Sequence, residues 1–380
     1  MLPGTSTTAG KTRATAALAV ALLLVLGIII VFLVINTCGG KRDAYELGLV
    51  ETAAETAAET AAETAAARAT IFVSIASYRD SECPATVQSL FEQAHHPGRV
   101  FIGLCTQNAP EDPACPAIDC KACRPENIRT VALPHTAAKG PAVARYHCAS
   151  LYKGEDYFLQ IDSHMQFIQG WDTLLIEELR RCQLTPGAKG GVLTHYPPAN
   201  MTQELRDRNV TTHICRGKFE PTGMISFLSN QFERHPHPLP TYYLASGFLF
   251  GPGSMVTDVP YDPYLDFLFW GEELLHAARL WTSGYDLFSP GLAVCSHSYE
   301  RSYAKNVFHD QPQWHTSQEA SQDRVRHFLG WPLSGTPTAD TTREEGKYGM
   351  GKVRALAEYM RLSEIDPETQ HVGNSCLHKW

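Results

Sequence analysis

The stretch Tyr157-Phe158-Leu159-Gln160-Ile161-Asp162-Ser163-His164 constrains this chain more than any other. Its large apolar residues predict a buried parallel strand, and metal-capable side chains begin where the strand stops. In open α/β sheets ligands bind outside the strand ends, where the loops leave a crevice. Asp162 and His164 are two residues apart, so in extended backbone both point to the same side. A carboxylate oxygen and an imidazole nitrogen together suit Mn²⁺ or a similar divalent ion; an Asp-Ser turn before an exposed His is the alternative.

The 380 residues carry a net charge of −8, which leaves no basic surface for a nucleic acid and more chain than one small core needs. Ala16 to Ile35 contains no charged residue and matches the ~20 apolar residues that cross a bilayer. The run is longer than the apolar part of a cleaved signal peptide, so a retained signal anchor is expected over 14–35, with a short cytoplasmic tail at 1–13. Basic residues flank it evenly: Lys11 and Arg13 before, Lys41 and Arg42 after. The short tail and the large following domain favour a lumenal catalytic part. The sequons at Asn200 and Asn209 fit that address. So do the 11 cysteines, an even number once Cys38 beside the membrane is set aside. Within 36–69, Glu-Thr-Ala-Ala repeats four times from Glu51 to Ala66, which predicts a spacer. As a helix it would reach about 24 Å; as an unfolded linker it would do the same job.

The domain expected at 70–380 opens with a strand from Thr70 into the polar Ser77-Tyr78-Arg79-Asp80 loop. A helix over Cys83 to Ala94 and a strand over Arg99 to Leu104 follow, a β-α-β opening of nucleotide-binding α/β type. No glycine-rich phosphate loop follows the first strand, so a metal ion bridging the phosphates is the natural substitute. Cys115, Cys120 and Cys123 lack a second CxxC pair and predict disulfide-tied loops rather than a zinc ribbon. Gly140-Pro141 starts a helix whose N-terminus, with Arg145, can face a diphosphate. Tyr243 to Gly251 predicts a strand in which Ser246 and Gly247 let a ligand ring lie close to the backbone. Glu272 and Glu273 begin a helical pattern from Phe269 to Trp281, as dipole-stabilising acids or as site residues, and Glu272 with His276 has metal-pair spacing. Val294 to Ser296 predicts a strand that ends at His297.

The blocks Ile75–Asp80, Gly140–Arg145, Gln160–His164, Gly170–Asp172, Phe269–Glu273 and His297–Arg301 occur in an order that resembles the polypeptide α-N-acetylglucosaminyltransferases acting on hydroxyproline or Ser/Thr. The similarity covers about Ile71 to the Tyr348 region. More distantly the chain is similar to mucin-type polypeptide N-acetylgalactosaminyltransferases, although Trp270-Gly271-Glu272 departs from their Trp-Gly-Gly-Glu. The resemblance implies a GT-A fold, with a mixed, mostly parallel sheet flanked by helices, a UDP-GlcNAc donor, Mn²⁺, retention of configuration and a protein hydroxyl as acceptor. It implies Asp162, His164 and His297 as metal ligands, and Ser77, Arg79, Asp80, Arg145, Ser246 and Gly247 around the donor. Glu272 and Glu273 would orient sugar or acceptor, in a Golgi or ER type II membrane enzyme. Another UDP-sugar, or a glycan- or peptide-binding protein without turnover, are the alternatives.

Overall fold

A computed structural model describes residues 68–374 and 376, apart from 118, 200–209 and 313. The expected anchor, the repeat-containing stem, Cys38 and both sequon asparagines lie outside the described residues. Among those described, no helix is long and apolar enough to cross a membrane.

The first half of the domain follows the predicted alternation. Strand β1 (Ile71–Tyr78), helix α1 (Cys83–Glu92), β2 (Val100–Asn108), β3 (Ile128–Pro134), α2 (Pro141–Ala149) and β4 (Tyr157–Asp162) run in order. They are followed by β5 (Met165–Phe167), α3 (Trp171–Arg180) and β6 (Gly190–Thr194). A hairpin of β7 (Val210–Phe219) and β8 (Ile225–Glu233) comes next, then β9 (Leu239–Thr241) and β10 (Phe248–Pro252). The chain continues through α4 (Glu272–Thr282), β11 (Tyr285–Ser289), β12 (Cys295–His297), α5 (Trp314–Leu329), α6 (Leu356–Leu362), β13 (Ile365–Asp366) and β14 (His371–Val372).

The central eight-stranded sheet has the order β3-β2-β1-β4-β10-β6-β11-β9. Its neighbours are parallel except at β10, which opposes β4 and β6, and at β9, which opposes β11. The sheet is therefore mixed α/β and mostly parallel, as expected. Alternate residues supply two cores: Phe72 and Phe158 enter one, while Ile71, Val73, Ile75, Leu159 and Ile161 enter the other. With both faces of β1 and β4 covered, polar side chains gather at their carboxyl ends.

Three features position the site against expectation. The strand predicted from Tyr243 begins only at Phe248, because Ala245-Ser246-Gly247 makes a tight turn closed by Phe248 N–H donating to the Ala245 carbonyl at 3.2 Å. The segment before Leu239, which carries no clear sequence signal, forms the β7–β8 hairpin. Helix α4 starts at Glu272 rather than Phe269, since Gly271 takes φ +98° and ends the preceding loop.

Cysteines pair as Cys83–Cys115, Cys120–Cys123 and Cys215–Cys376. The expected disulfide-tied loops are thus present at Cys115, Cys120 and Cys123. Cys105, Cys148, Cys182 and Cys295 remain thiols, so the even count does not translate into complete pairing.

Candidate active site

A crevice of about 860 Å³ opens at the carboxyl ends of β1 and β4. Asp162 ends β4, and His164 follows it before β5. Strand β12 pairs antiparallel with β5 and sets His297 opposite Met165, so a residue far along the chain arrives beside His164. His164 Nε2 and His297 Nε2 are 3.0 Å apart, and His297 Nε2 is 3.2 Å from Asp162 Oδ2. Among the described residues these three form the group able to hold a metal ion, with ligand atoms all within 4.8 Å of one another.

The surroundings fit a divalent cation. His164 Nδ1 lies 2.8 Å from Asp80 Oδ2. A proton held there leaves the Nε2 lone pair facing the other two ligand atoms, the arrangement that a carboxylate behind a metal-binding imidazole imposes on it. Asp80 also accepts from Ser163 Oγ at 2.7 Å and from the Arg301 guanidinium at 3.0 Å. Burial raises the Asp80 carboxyl, but the hydrogen bond from His164 and the Arg301 charge outweigh it and hold the group below the usual carboxylate range. For Asp162, burial is likewise overcome by the His297 bond and the Arg145 charge, and the carboxyl stays ionised. An ionised oxygen and two imidazole nitrogens are a donor set suited to Mn²⁺ or its neighbours. Gly247 keeps the approach open, since a Cβ there would come within 2.8 Å of Asp162 Oδ2.

Several expected donor-binding residues are placed elsewhere. The Asp80 side chain is fully enclosed beneath His164 and does not reach the crevice. Ser77 points away from it at 1 % exposure, while Ala76 and Tyr78, its neighbours on the opposite face of the strand, line the crevice. The Arg79 guanidinium is held by Glu111, Asp112 and Asp310. Arg145 does border the crevice, but it gives two hydrogen bonds of 2.7 and 2.8 Å to Glu272 and one of 3.0 Å to Asp162 Oδ1. It orients the two carboxylates instead of offering a free charge to a diphosphate. His276 stacks on Tyr261 at 4.9 Å and is not part of the metal group, so Glu272 pairs with Arg145 and not with a shared ion.

Ser246, Gly247, Glu272 and Glu273 all line the crevice, as expected. Glu273 accepts from the Tyr196 hydroxyl at 2.6 Å and from the Ser246 N–H at 2.9 Å. Burial is the main reason its carboxyl is pushed up to about 7, assisted by the nearby Glu272 and opposed by those two bonds. Sequence reading missed Tyr196, Tyr299 and Arg301, which line the crevice beside the expected residues. The only signal for Arg301 was its place in the His297–Arg301 block. Its guanidinium reaches Asp80 with one terminal nitrogen, is 34 % exposed, and leaves Nε without a partner among the described residues.

A family model described as "Glycosyltransferase (GlcNAc)" matches residues 70–125 and 117–369. No curated protein matches the chain. Among solved structures, the chain is similar to GalNAc-T7 with UDP, GalNAc and Mn²⁺ at TM-score 0.46 and 13 % identity, covering 77 % of this chain and 56 % of that one. It therefore spans little more than half of the GalNAc-T7 chain. It is also similar to TarS of S. aureus (TM-score 0.41, 10 % identity, 70 % of this chain and 40 % of that one). A third is the mannosyltransferase PcManGT from Pyrobaculum calidifontis with GDP-Man and Mn²⁺ (TM-score 0.38, 9 % identity, 77 % of this chain and 74 % of that one).

Two outcomes follow from the geometry. Asp80→Asn keeps the shape of the side chain but weakens its hold on the His164 proton, and it should raise the Mn²⁺ concentration for half-maximal binding by roughly 10–100-fold. Titration calorimetry or Mn²⁺ electron paramagnetic resonance reads this directly, and wild-type affinity would remove Asp80 from the metal site. Glu273 gives a pH signature. The folded carboxyl keeps its proton up to about pH 7, whereas an unfolded Glu releases it near ~4.3. The folded state then binds more protons across that window, so this group's contribution makes stability fall as pH rises through it. Glu273→Gln should flatten that slope in urea melts taken across the window; an unchanged slope would place the shift elsewhere.

Proposed function

This chain belongs to the glycosyltransferase (GlcNAc) family, and from that premise we propose that it is a retaining, Mn²⁺-dependent GT-A enzyme. In this reading it moves N-acetylglucosamine from UDP-GlcNAc to a hydroxyl on a protein, at Ser, Thr or hydroxyproline. The observation that carries the proposal is the Asp162–His164–His297 group at the strand ends, with Asp80 set behind His164.

Asp162, His164 and His297 would hold the ion, which when bound supplies Lewis-acid stabilisation of the departing diphosphate. Ala76, Tyr78 and Gln107, at the ends of β1 and β2, form the crevice wall available to the nucleoside. Arg145 and Arg79 are held by two or more carboxylates each, so among the described residues the cations best placed to face a diphosphate are Lys305 and Arg301, which gives one terminal nitrogen to Asp80; both line the crevice. Glu273, tied to Tyr196 and to the Ser246 backbone, is fixed in orientation and titrates near neutrality. A group of that kind can donate to or accept from a substrate hydroxyl. Glu272 acts through Arg145, which in turn fixes Asp162.

The test is turnover of a panel of UDP-sugars by the soluble domain, with and without Mn²⁺. UDP-GlcNAc should be consumed fastest, and His297→Ala should lower the rate roughly 10³-fold and raise the Mn²⁺ requirement while leaving the metal-free melting temperature near normal. Faster use of UDP-GalNAc or UDP-galactose would correct the donor, and no turnover of any donor would favour a binding protein.

We further propose that Ala16 to Ile35 anchors the chain as a type II protein of the Golgi or ER membrane, with residues 70–380 in the lumen. Three disulfides support an oxidising compartment. In sealed microsomes the domain should resist added protease until detergent is present; digestion without detergent would rule the orientation out.

A further inference from the structure

Strand β8 borders the crevice in an unusual way. Ile225, Ser226, Phe227, Leu228 and Ser229 line it in unbroken succession, and past them Gln231 lines it without Asn230, together with Thr212, its pairing partner on β7. Successive side chains of a strand point to opposite faces, so a crevice that ran across one face would meet every second residue. Ile225 and Phe227 are 1 % and 4 % exposed and pack into the large core. Residues of both faces border one crevice where it passes the strand's edge, so over Ile225–Ser229 the crevice takes in the edge of β8.

That edge is open. The hairpin is a two-stranded sheet, and among the described residues β8 pairs with β7 and with no other strand. No backbone group of Ile225–Gln231 hydrogen-bonds beyond the hairpin among the described residues. Exposed edges are normally closed against other chains by Lys, Pro or a bulge on the edge strand. From Ile225 to Phe232 there is no charged residue and no Pro, and the register irregularity of the hairpin lies on β7, between Ile214 and Arg216. The edge also starts beside the chemistry. Met224, which precedes β8, packs on Gly271, where a Cβ would lie 2.7 Å from its sulfur, and Gly271 immediately precedes Glu272 and Glu273.

We propose that the acceptor docks as an extended polypeptide that adds itself to the edge of β8 as a third strand. This rests on the reading of the crevice as the site of transfer to a protein hydroxyl. A row of alternating N–H and C=O groups over Ile225–Gln231, roughly 20 Å at ~3.3 Å per residue, is matched by another backbone and not by a sugar ring. Main-chain pairing gives affinity without demanding a sequence, and specificity is left to alternate side chains. Phe269, on the same crevice and 54 % exposed, is placed to receive one of them. Proline or hydroxyproline is then accepted only where its missing N–H faces away from β8.

Backbone N-methylation of the acceptor tests this without altering the protein. Short synthetic peptides with one central Thr, Ser or hydroxyproline are compared with versions carrying a single N-methyl group at each position in turn, in the presence of donor and Mn²⁺. Strand addition predicts a two-residue rhythm: N-methylation at alternate positions raises KM roughly tenfold, the effect of one lost hydrogen bond, and the positions between stay near the parent value. A flat scan on a peptide that is glycosylated overturns strand addition and leaves the polypeptide acceptor standing. Donor hydrolysis with no transfer to any peptide, but transfer to a glycan, overturns the polypeptide acceptor and strand addition with it.

Discussion

The site depends on a buried cation that has almost no water of its own. Arg145, 6 % exposed, is shared between Glu272 and Asp162, and it thereby fastens together the three elements α2, α4 and β4. Breaking a buried ion pair by removing one partner typically costs ~3–5 kcal/mol, because the other charge is left uncompensated. Here two carboxylates would be stranded at once. The same guanidinium decides which oxygen of Asp162 faces the crevice, since Oδ1 is taken and Oδ2 is turned toward His297. Structural stability and ligand geometry are one interaction at this point.

From Asp162 the polar contacts continue without interruption through His297, His164 and Asp80 to Arg301. Cationic guanidinium groups stand at both ends, and carboxylates and imidazoles lie between. Such networks are costly unless their members are satisfied, so one gathered at strand ends on the wall of a crevice marks a place kept for chemistry. Glu273 stands apart from this chain of contacts. Burial pushes its carboxyl up to about 7 against the pull of its tyrosine and backbone partners, while Asp162 stays ionised.

Much of this was legible in the sequence, and the division has physical causes. Doubly buried strands announce themselves as apolar runs, and a two-residue spacing places Asp162 and His164 on one side without any tertiary knowledge. His297 was legible as a residue at the end of a strand, although what brings it to His164 is a pairing between β12 and β5 that no local pattern encodes. The failures share one cause. Asp80, Arg79 and Arg145 were read as residues around a bound donor, yet each is taken up by a residue distant in sequence, and a side chain's partner is what separates a binding group from a supporting one. Ser77 failed by parity: a loop was expected where β1 still runs extended to Tyr78, and strand alternation turns it away. The hairpin failed because its residues alternate little and its stabilising contacts are with α4 and the C-terminal segment.

The Cys215–Cys376 disulfide joins the middle of β7 to the C-terminal segment, across 161 residues of chain, and the Arg216–Asn374 bridge adjoins it. In the chain-entropy view a loop of that length is stabilised by about 5 kcal/mol. The crevice wall therefore answers to the thiol chemistry of its surroundings. Reduction would remove the covalent tie between β7 and the C-terminal segment and leave the hairpin to its noncovalent contacts. Oxidation of two thiols 161 residues apart is thereby a step in building this wall of the crevice.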